Sequence, residues 1–219
     1  LKRRDLTGSM TIVGDMGQAT TASSSASWNA VLEVLEPRRE PTRVDLTVSY
    51  RTPEEVLDFA APTLMAAAPD LTPPRPVRRA GHSPSVDQVS REEFVATLAD
   101  VTRREVEAVA PGRVAVIVSG DRVDEIMAIL RSKGLDAIDP RDQESRGLGA
   151  DLIVLSAEGA NGLEFDGVVV VEPGQIASRG ARGATSITPR GLRTLYVAMT
   201  RPTRRLAIVA VEPLPETLR

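Results

Sequence analysis

Apolar residues in this chain fall into runs of two periods. Val114–Val118 is apolar at every position and Asp166–Val171 nearly so, as expected of strands buried on both faces of a parallel sheet. Arg91–Ala110 instead places Phe94, Leu98, Val101, Val106 and Val109 on one side and charges on the other, the pattern of an amphipathic helix. Arg122–Lys133 predicts a second helix, closed by Gly134. Leu135–Ile138, Leu152–Leu155 and Val86–Val89 predict further strands. Towards the C-terminus, Thr188 can cap a helix, Pro189 suits its first position, and Leu192, Leu195 and Met199 recur at helical spacing. Pro202 disfavours helix at Arg201, and the apolar strand Leu206–Val211 follows.

Nearer the N-terminus, Thr11–Asp15 predicts a short strand entering a glycine turn. Trp28–Leu35 predicts a one-sided helix with Trp28 packed, and Val44–Val48 an alternating strand. Thr52-Pro53-Glu54-Glu55 predicts a helix start with a capping box, running to about Ala67. Pro69–Ser85 reads as a surface loop. Strands alternating with helices of these lengths predict an α/β fold, a doubly wound parallel sheet flanked by helices. Ligands of such sheets bind at the carboxyl ends of the strands. Gln18, Tyr50-Arg51, the loop Ser156–Glu164 and the helix ending at Arg201 are expected to gather there.

Composition narrows the picture. Hydrophobic residues make up 42% of 219 but aromatics only 3%, so the core must be built from Ala, Val, Leu and Ile. A net charge of −3 gives no global field for nucleic acid. Charge is nevertheless segregated: Arg179–Arg205 holds seven arginines and no acid, Asp151–Glu172 five acids and no base. The absence of cysteine excludes disulfides, thiolate metal sites and a cysteine nucleophile, and no metal site is expected. The single histidine, His82, stands in a Pro/Arg/Gly-rich loop and reads as solvated. No signal peptide pattern and no membrane-spanning run is present, so a cytoplasmic protein is expected. Leu1-Lys-Arg-Arg reads as a cut from a longer chain, Pro37–Pro41 as an internal boundary, and Ser178–Thr185 as a mobile, low-complexity stretch.

Four polar signals have a chemical reading beside a structural one. Arg201, fixed at a helix end, could pair with two anionic oxygens at once, or simply favour the helix dipole. With Arg51 it could stabilise charge on a transferring phosphoryl group; the alternative is surface salt bridging. Glu164, after the turn Asn161-Gly162, could accept from sugar hydroxyls or be an ordinary loop carboxylate. Tyr50 could stack on a base or fill the core at a strand end. Gln18 could orient a water or a phosphate, or be a turn residue.

Together these segments resemble superfamily 1 helicases of UvrD/Rep type. Val13-Gly-Asp-Met-Gly-Gln18 resembles their motif III and Ser49-Tyr50-Arg51 motif IV. Gly159-Ala-Asn-Gly-Leu-Glu-Phe165 resembles motif V and Leu195–Arg201 motif VI. The order and spacing fit across the chain, and the flavour is closest to the helicase IV/HelD branch. The resemblance implies a RecA-like second motor domain without its own Walker A motif. Residues 38–219 would form it, and residues 1–37 would be the tail of a first motor domain. Gln18, Arg51 and Arg201 would contact the ATP γ-phosphate, Tyr50 the adenine, and Glu164, after Gly162, the ribose. ATP and Mg²⁺ would both require the first motor domain, because no Gly-x-x-x-x-Gly-Lys-Ser/Thr occurs here. The chain by itself is therefore expected neither to bind ATP tightly nor to hydrolyse it.

The expected partners are single-stranded or duplex DNA and the first motor domain of the same chain. A rival reading is an RNA polymerase remodelling factor of HelD type. Three departures set this chain apart from the family pattern, and Asn161 with the low aromatic count favours that rival. Asn161 stands where the family has lysine, Glu158 where many members have histidine, and Thr21–Ser25 where base-stacking aromatics often follow motif III.

Overall fold

The computed structural model describes residues 10–19, 27–37, 39–140, 150–178 and 186–219. The readings of Leu1-Lys-Arg-Arg, Thr21–Ser25 and the stretch after Ser178 lie outside these residues.

Strands β3 (Ser85–Gln88), β4 (Val114–Val118), β5 (Leu152–Ser156), β6 (Phe165–Val171) and β7 (Pro202–Ala210) form one sheet in the order β3-β7-β6-β4-β5. Every neighbouring pair is parallel. Helices α3 (Phe94–Val109) and α4 (Val123–Ser132) cover one face. Helices α2 (Glu54–Ala67), α5 (Pro173–Ser178) and α6 (Pro189–Met199) cover the other. The pleat divides each strand between two cores. Val114, Val116 and Val118 pack towards α3 and α4, whereas Ala115 and Ile117 pack towards α2 and α6. Burial on both sides is why these strands carry no polar alternation. The fold class is thus the α/β parallel sheet expected from the sequence.

Helix α6 is the most enclosed of the helices among the described residues. Thr188 caps it, its hydroxyl accepting from the Gly191 amide at 3.0 Å, and Pro189 takes the first position. Leu195 and Met199 are fully buried, each contributing about 1.5–3 kcal/mol by leaving water. Strand β7 begins immediately after Arg201.

Four local expectations are corrected. Thr11–Asp15 is not a strand: nothing pairs with it, and Val13 is 83% exposed. Of Val44–Val48 only its end pairs, as β1 (Val48–Ser49) beside β2 (Arg75–Pro76), and Val44 and Leu46 stay exposed. Leu135–Ile138 contributes one isolated bridge, Ile138 to Ile153. A period-2 pattern makes a ladder only where a neighbouring backbone offers one. The capping box at α2 does not form either. Pro53 takes the cap position without a side-chain bond, and Glu55 accepts instead from the Ala80 and Gly81 amides, both at 2.9 Å. That fastens the loop before β3 to the start of α2. Near the N-terminus, α1 (Trp28–Leu35) forms as expected, capped by Ser27, but none of its residues is fully buried and Trp28 is half-buried.

Candidate functional site

Arg201 occupies the junction between α6 and β7 and is only 8% exposed. Its Nε donates to the Val197 carbonyl at 2.9 Å, one of the last-turn carbonyls that a helix leaves open. Nη1 donates to the Leu163 carbonyl at 3.4 Å and Nη2 to the Thr200 hydroxyl at 3.5 Å. All three acceptors are neutral. No carboxylate among the described residues lies within ion-pair distance of this guanidinium. Burial pushes it below its ordinary pKa; the nearby Glu164 and Tyr196 oppose that shift, and Arg51 adds to it. A buried cation held by dipoles alone is poised to accept an anion.

Arg51 reaches the same place from the segment before α2. It forms an ion pair with Glu164, the two side chains being 51% and 37% exposed. Its guanidinium also lies over the Tyr50 ring, 5.7 Å from the centroid. Two bonds hold its backbone: Arg78 donates to the Arg51 carbonyl at 3.4 Å, and the Thr52 hydroxyl donates to the Thr200 carbonyl at 3.4 Å. The latter ties this segment to the end of α6. Arg51 and Arg201 therefore bracket the pair Leu163-Glu164, one holding the carbonyl and the other the carboxylate. Gly162 makes the turn before that pair with φ +80°, and a Cβ there would meet nothing, so the backbone alone demands glycine. Tyr50 is 72% exposed, which removes its reading as a core aromatic.

Gln18 ends a 3₁₀ turn, Met16–Gln18, that packs on α6, with Gly17 close to Leu64 of α2. Its side-chain amide donates to Asp15 at 2.8 Å, and Asp15 also accepts from the Gly17 amide at 2.8 Å. Asp15 is near enough to influence Arg201 and Tyr196 electrostatically. Gln18 thus stands on the same side as the arginines, engaged by a carboxylate.

Sequence reasoning missed three participants. Asp15, two residues before Gly17, carries a cap signal. Thr52 carries only the signal of a helix start, and Tyr196, within Leu195–Arg201, carries no separate signal. Burial and the charge of Asp15 push the Tyr196 hydroxyl up to about 12, with Arg201 opposing. The placement was also wrong. Glu164 precedes β6 and Arg201 precedes β7, and these strands run parallel with Phe165 beside Pro202. The cluster therefore gathers at the amino ends of the strands. Helix α6 returns to the amino end of β7, and its last residue goes with it. Among the described residues no group of three His, Cys, Asp or Glu is placed to hold a metal ion, and no helix is long and apolar enough to cross a membrane.

Compared with solved structures, the chain is similar to the C-terminal domain of a possible DNA helicase from Lactobacillus plantarum WCFS1. The identity is 22%, over 78% of this chain and 92% of that one, with a TM-score of 0.58. This likeness is one of fold: an all-parallel, RecA-like α/β sheet flanked by helices. An Arterivirus helicase, nonstructural protein 10 in complex with DNA, aligns at 12% identity over 75% of this chain and 34% of its own, with a TM-score of 0.39. That is too loose a likeness to argue from. No family model and no curated protein matches the sequence.

Proposed function

We propose that this chain is the C-terminal motor part of an ATP-dependent superfamily 1 helicase or translocase acting on DNA. The observation that carries the reading is Arg201: a nearly buried guanidinium with only neutral acceptors, beside a second arginine, Arg51, at one rim of the sheet. An unpaired buried cation costs stability, and a γ-phosphate would supply the missing charge. Arg201 would take phosphate oxygens in its fork, with Arg51 and Gln18 alongside. The exposed Tyr50 ring would carry the adenine, and Glu164 would accept from the ribose. The phosphate cradle and the Mg²⁺ ligands would belong to a first motor domain of the same protein, of which residues 1–37 would be the tail and against which residues 38–219 would close. Closure would give the arginines their anion and so couple nucleotide state to movement.

The test is Arg201→Ala in the full-length protein. ATP turnover is expected to fall on the order of 10³-fold, the scale on which an arginine finger acts, with the fold intact by thermal melting. Near-normal turnover overturns the assignment.

One observation favours the rival, a HelD-type factor bound to RNA polymerase in which ATP tunes a protein–protein contact. The loop Ala157–Glu164 carries Glu158 and Glu164, an exposed Asn161 and no base, a poor surface for a phosphate backbone. Strand displacement without polymerase capture supports the helicase; capture without displacement supports the rival.

A further inference from the structure

We infer that Glu164 is an internal competitor for the polyphosphate that Arg51 faces, and that it thereby selects nucleoside polyphosphates over bare ones. The inference rests on the proposed function, since it needs Arg51 and Arg201 to meet a phosphate chain.

Arg51 is not free in this chain: Glu164 holds it in an ion pair, while Arg201 holds no acid. The backbone at Arg51 is pinned by Arg78 and by the Thr52–Thr200 bond, and its guanidinium is steadied over Tyr50. The Leu163 carbonyl is pinned by Arg201. What remains able to move is the Glu164 side chain, more than a third exposed, on a residue that lies just before the ladder between β6 and β7.

A phosphate chain arriving between the two arginines meets the Glu164 carboxylate first, and like charges a few ångströms apart repel. Glu164 must swing off Arg51. Inorganic polyphosphate gives it nothing in return, because both are acceptors only. A nucleotide brings hydroxyl donors, so the displaced carboxylate acquires a new partner and the loss of the ion pair is offset. Glu164 therefore handicaps bare polyphosphate and spares nucleotides.

The test titrates the full-length protein with tripolyphosphate and with ATP by calorimetry, in wild type, Glu164→Gln, Arg51→Ala and the double variant. Glu164→Gln is expected to tighten tripolyphosphate about fivefold, the upper range for releasing one exposed ion pair. It should leave ATP unchanged or weaker, so selectivity for ATP falls. In the Arg51→Ala background the tripolyphosphate gain should vanish, since the competitor acts through Arg51. Glu164→Asp, which withdraws the carboxylate by one methylene, should lie between, and thermal melts check that each variant folds. Unchanged tripolyphosphate affinity with weakened ATP makes Glu164 a sugar contact only and overturns the inference. A gain that persists without Arg51 is general charge repulsion and overturns it too. If Arg201→Ala leaves tripolyphosphate binding untouched, it is the proposed function itself that fails.

Discussion

Tyr196 lies on the last turns of α6 and Arg201 just beyond its end, and both are costly to charge. Burial disfavours the charged form of both, which lowers the arginine and raises the tyrosine. For Tyr196 the consequence is measurable. Its folded pKa is about 12 against an ordinary 10.0. Below about pH 10 both the folded and the unfolded chain keep the proton, and stability does not depend on it. Between about pH 10 and 12 the unfolded chain releases the proton while the folded chain retains it, so stability falls as pH rises. The slope approaches about 1.4 kcal/mol per pH unit, and the whole effect is about 2–3 kcal/mol. Urea midpoints measured from pH 9 to 12 should show a drop in the wild type that is shallower in Tyr196→Phe. An identical fall in both would mean that Tyr196 titrates like a solvated phenol. The same burial explains why Tyr196 was not read as part of the site. Its spacing in the sequence is that of a core residue, and only the fold brings Asp15 alongside it. Arg201, Arg51, Glu164 and Gln18 were legible because their motifs occur in order along the chain. Their meeting at the amino ends of β6 and β7 follows from the parallel sheet itself, because a crossover helix must return to the amino end of the strand it feeds; the carboxyl-end rule holds for residues that follow a strand, and Glu164 and Arg201 precede theirs.

Helix α6 is where local signals and tertiary packing agree best. Thr188, Pro189 and the spacing of Leu192, Leu195 and Met199 predicted its limits, and the structure keeps them. All five strands of the sheet were legible, the edge strands β3 and β5 included, and each has a neighbour to pair with along its length. The segments that did not form as expected, Thr11–Asp15, Val44–Val48 and Leu135–Ile138, have the composition of strands but little or no neighbour to pair with. Gly191 is the tightest point of α6 against its surroundings. A Cβ there would overlap the Ala177 carbonyl oxygen and lie 2.5 Å from its carbon. Helix propensity alone favours alanine over glycine by about 1 kcal/mol. Overpacking against rigid backbone costs about 1–3 kcal/mol or more, so the clash wins. Gly191→Ala should lower the melting temperature by several degrees, at about 2–4 °C per kcal/mol for a chain this size. Gly174, in α5, is the control: its Cβ would meet only the Pro213 carbonyl oxygen at 3.5 Å, an ordinary contact. Gly174→Ala should be neutral or stabilising. A stabilising Gly191→Ala would mean that α5 and α6 are less closely packed than the structure has them.

At the scale of the whole molecule, the sheet is held between two apolar layers, and one buried polar link crosses from sheet to helix on the face opposite α6. Glu105 of α3 is 1% exposed and accepts from Arg205 of β7 at 2.6 and 3.2 Å. Arg104 adds a third, longer contact at 3.5 Å. The two partners are unequally buried, Arg205 being 28% exposed, so the two single deletions should differ. Removing Glu105 leaves an arginine that can turn towards water. Removing Arg205 leaves a carboxylate in the interior with only Arg104 near it. Breaking a buried pair from one side costs about 3–5 kcal/mol; Arg205→Met should approach that range, and Glu105→Met should fall short of it. The double replacement by methionine should recover most of the loss, because two apolar chains fill the gap without a charge to desolvate. A double-mutant cycle in urea checks both statements. The position of Arg205 makes the outcome informative for the site. It lies four residues beyond Arg201, on the strand that begins immediately after it, so a loosened β7 would shift Arg201. If single variants lose ATP turnover in the full-length protein and the double variant restores it along with stability, the pair serves the site only by holding β7 in register. If stability returns and turnover does not, the charge of Arg205 itself reaches the arginine cluster, and the division between the two faces of the sheet is less complete than the packing implies.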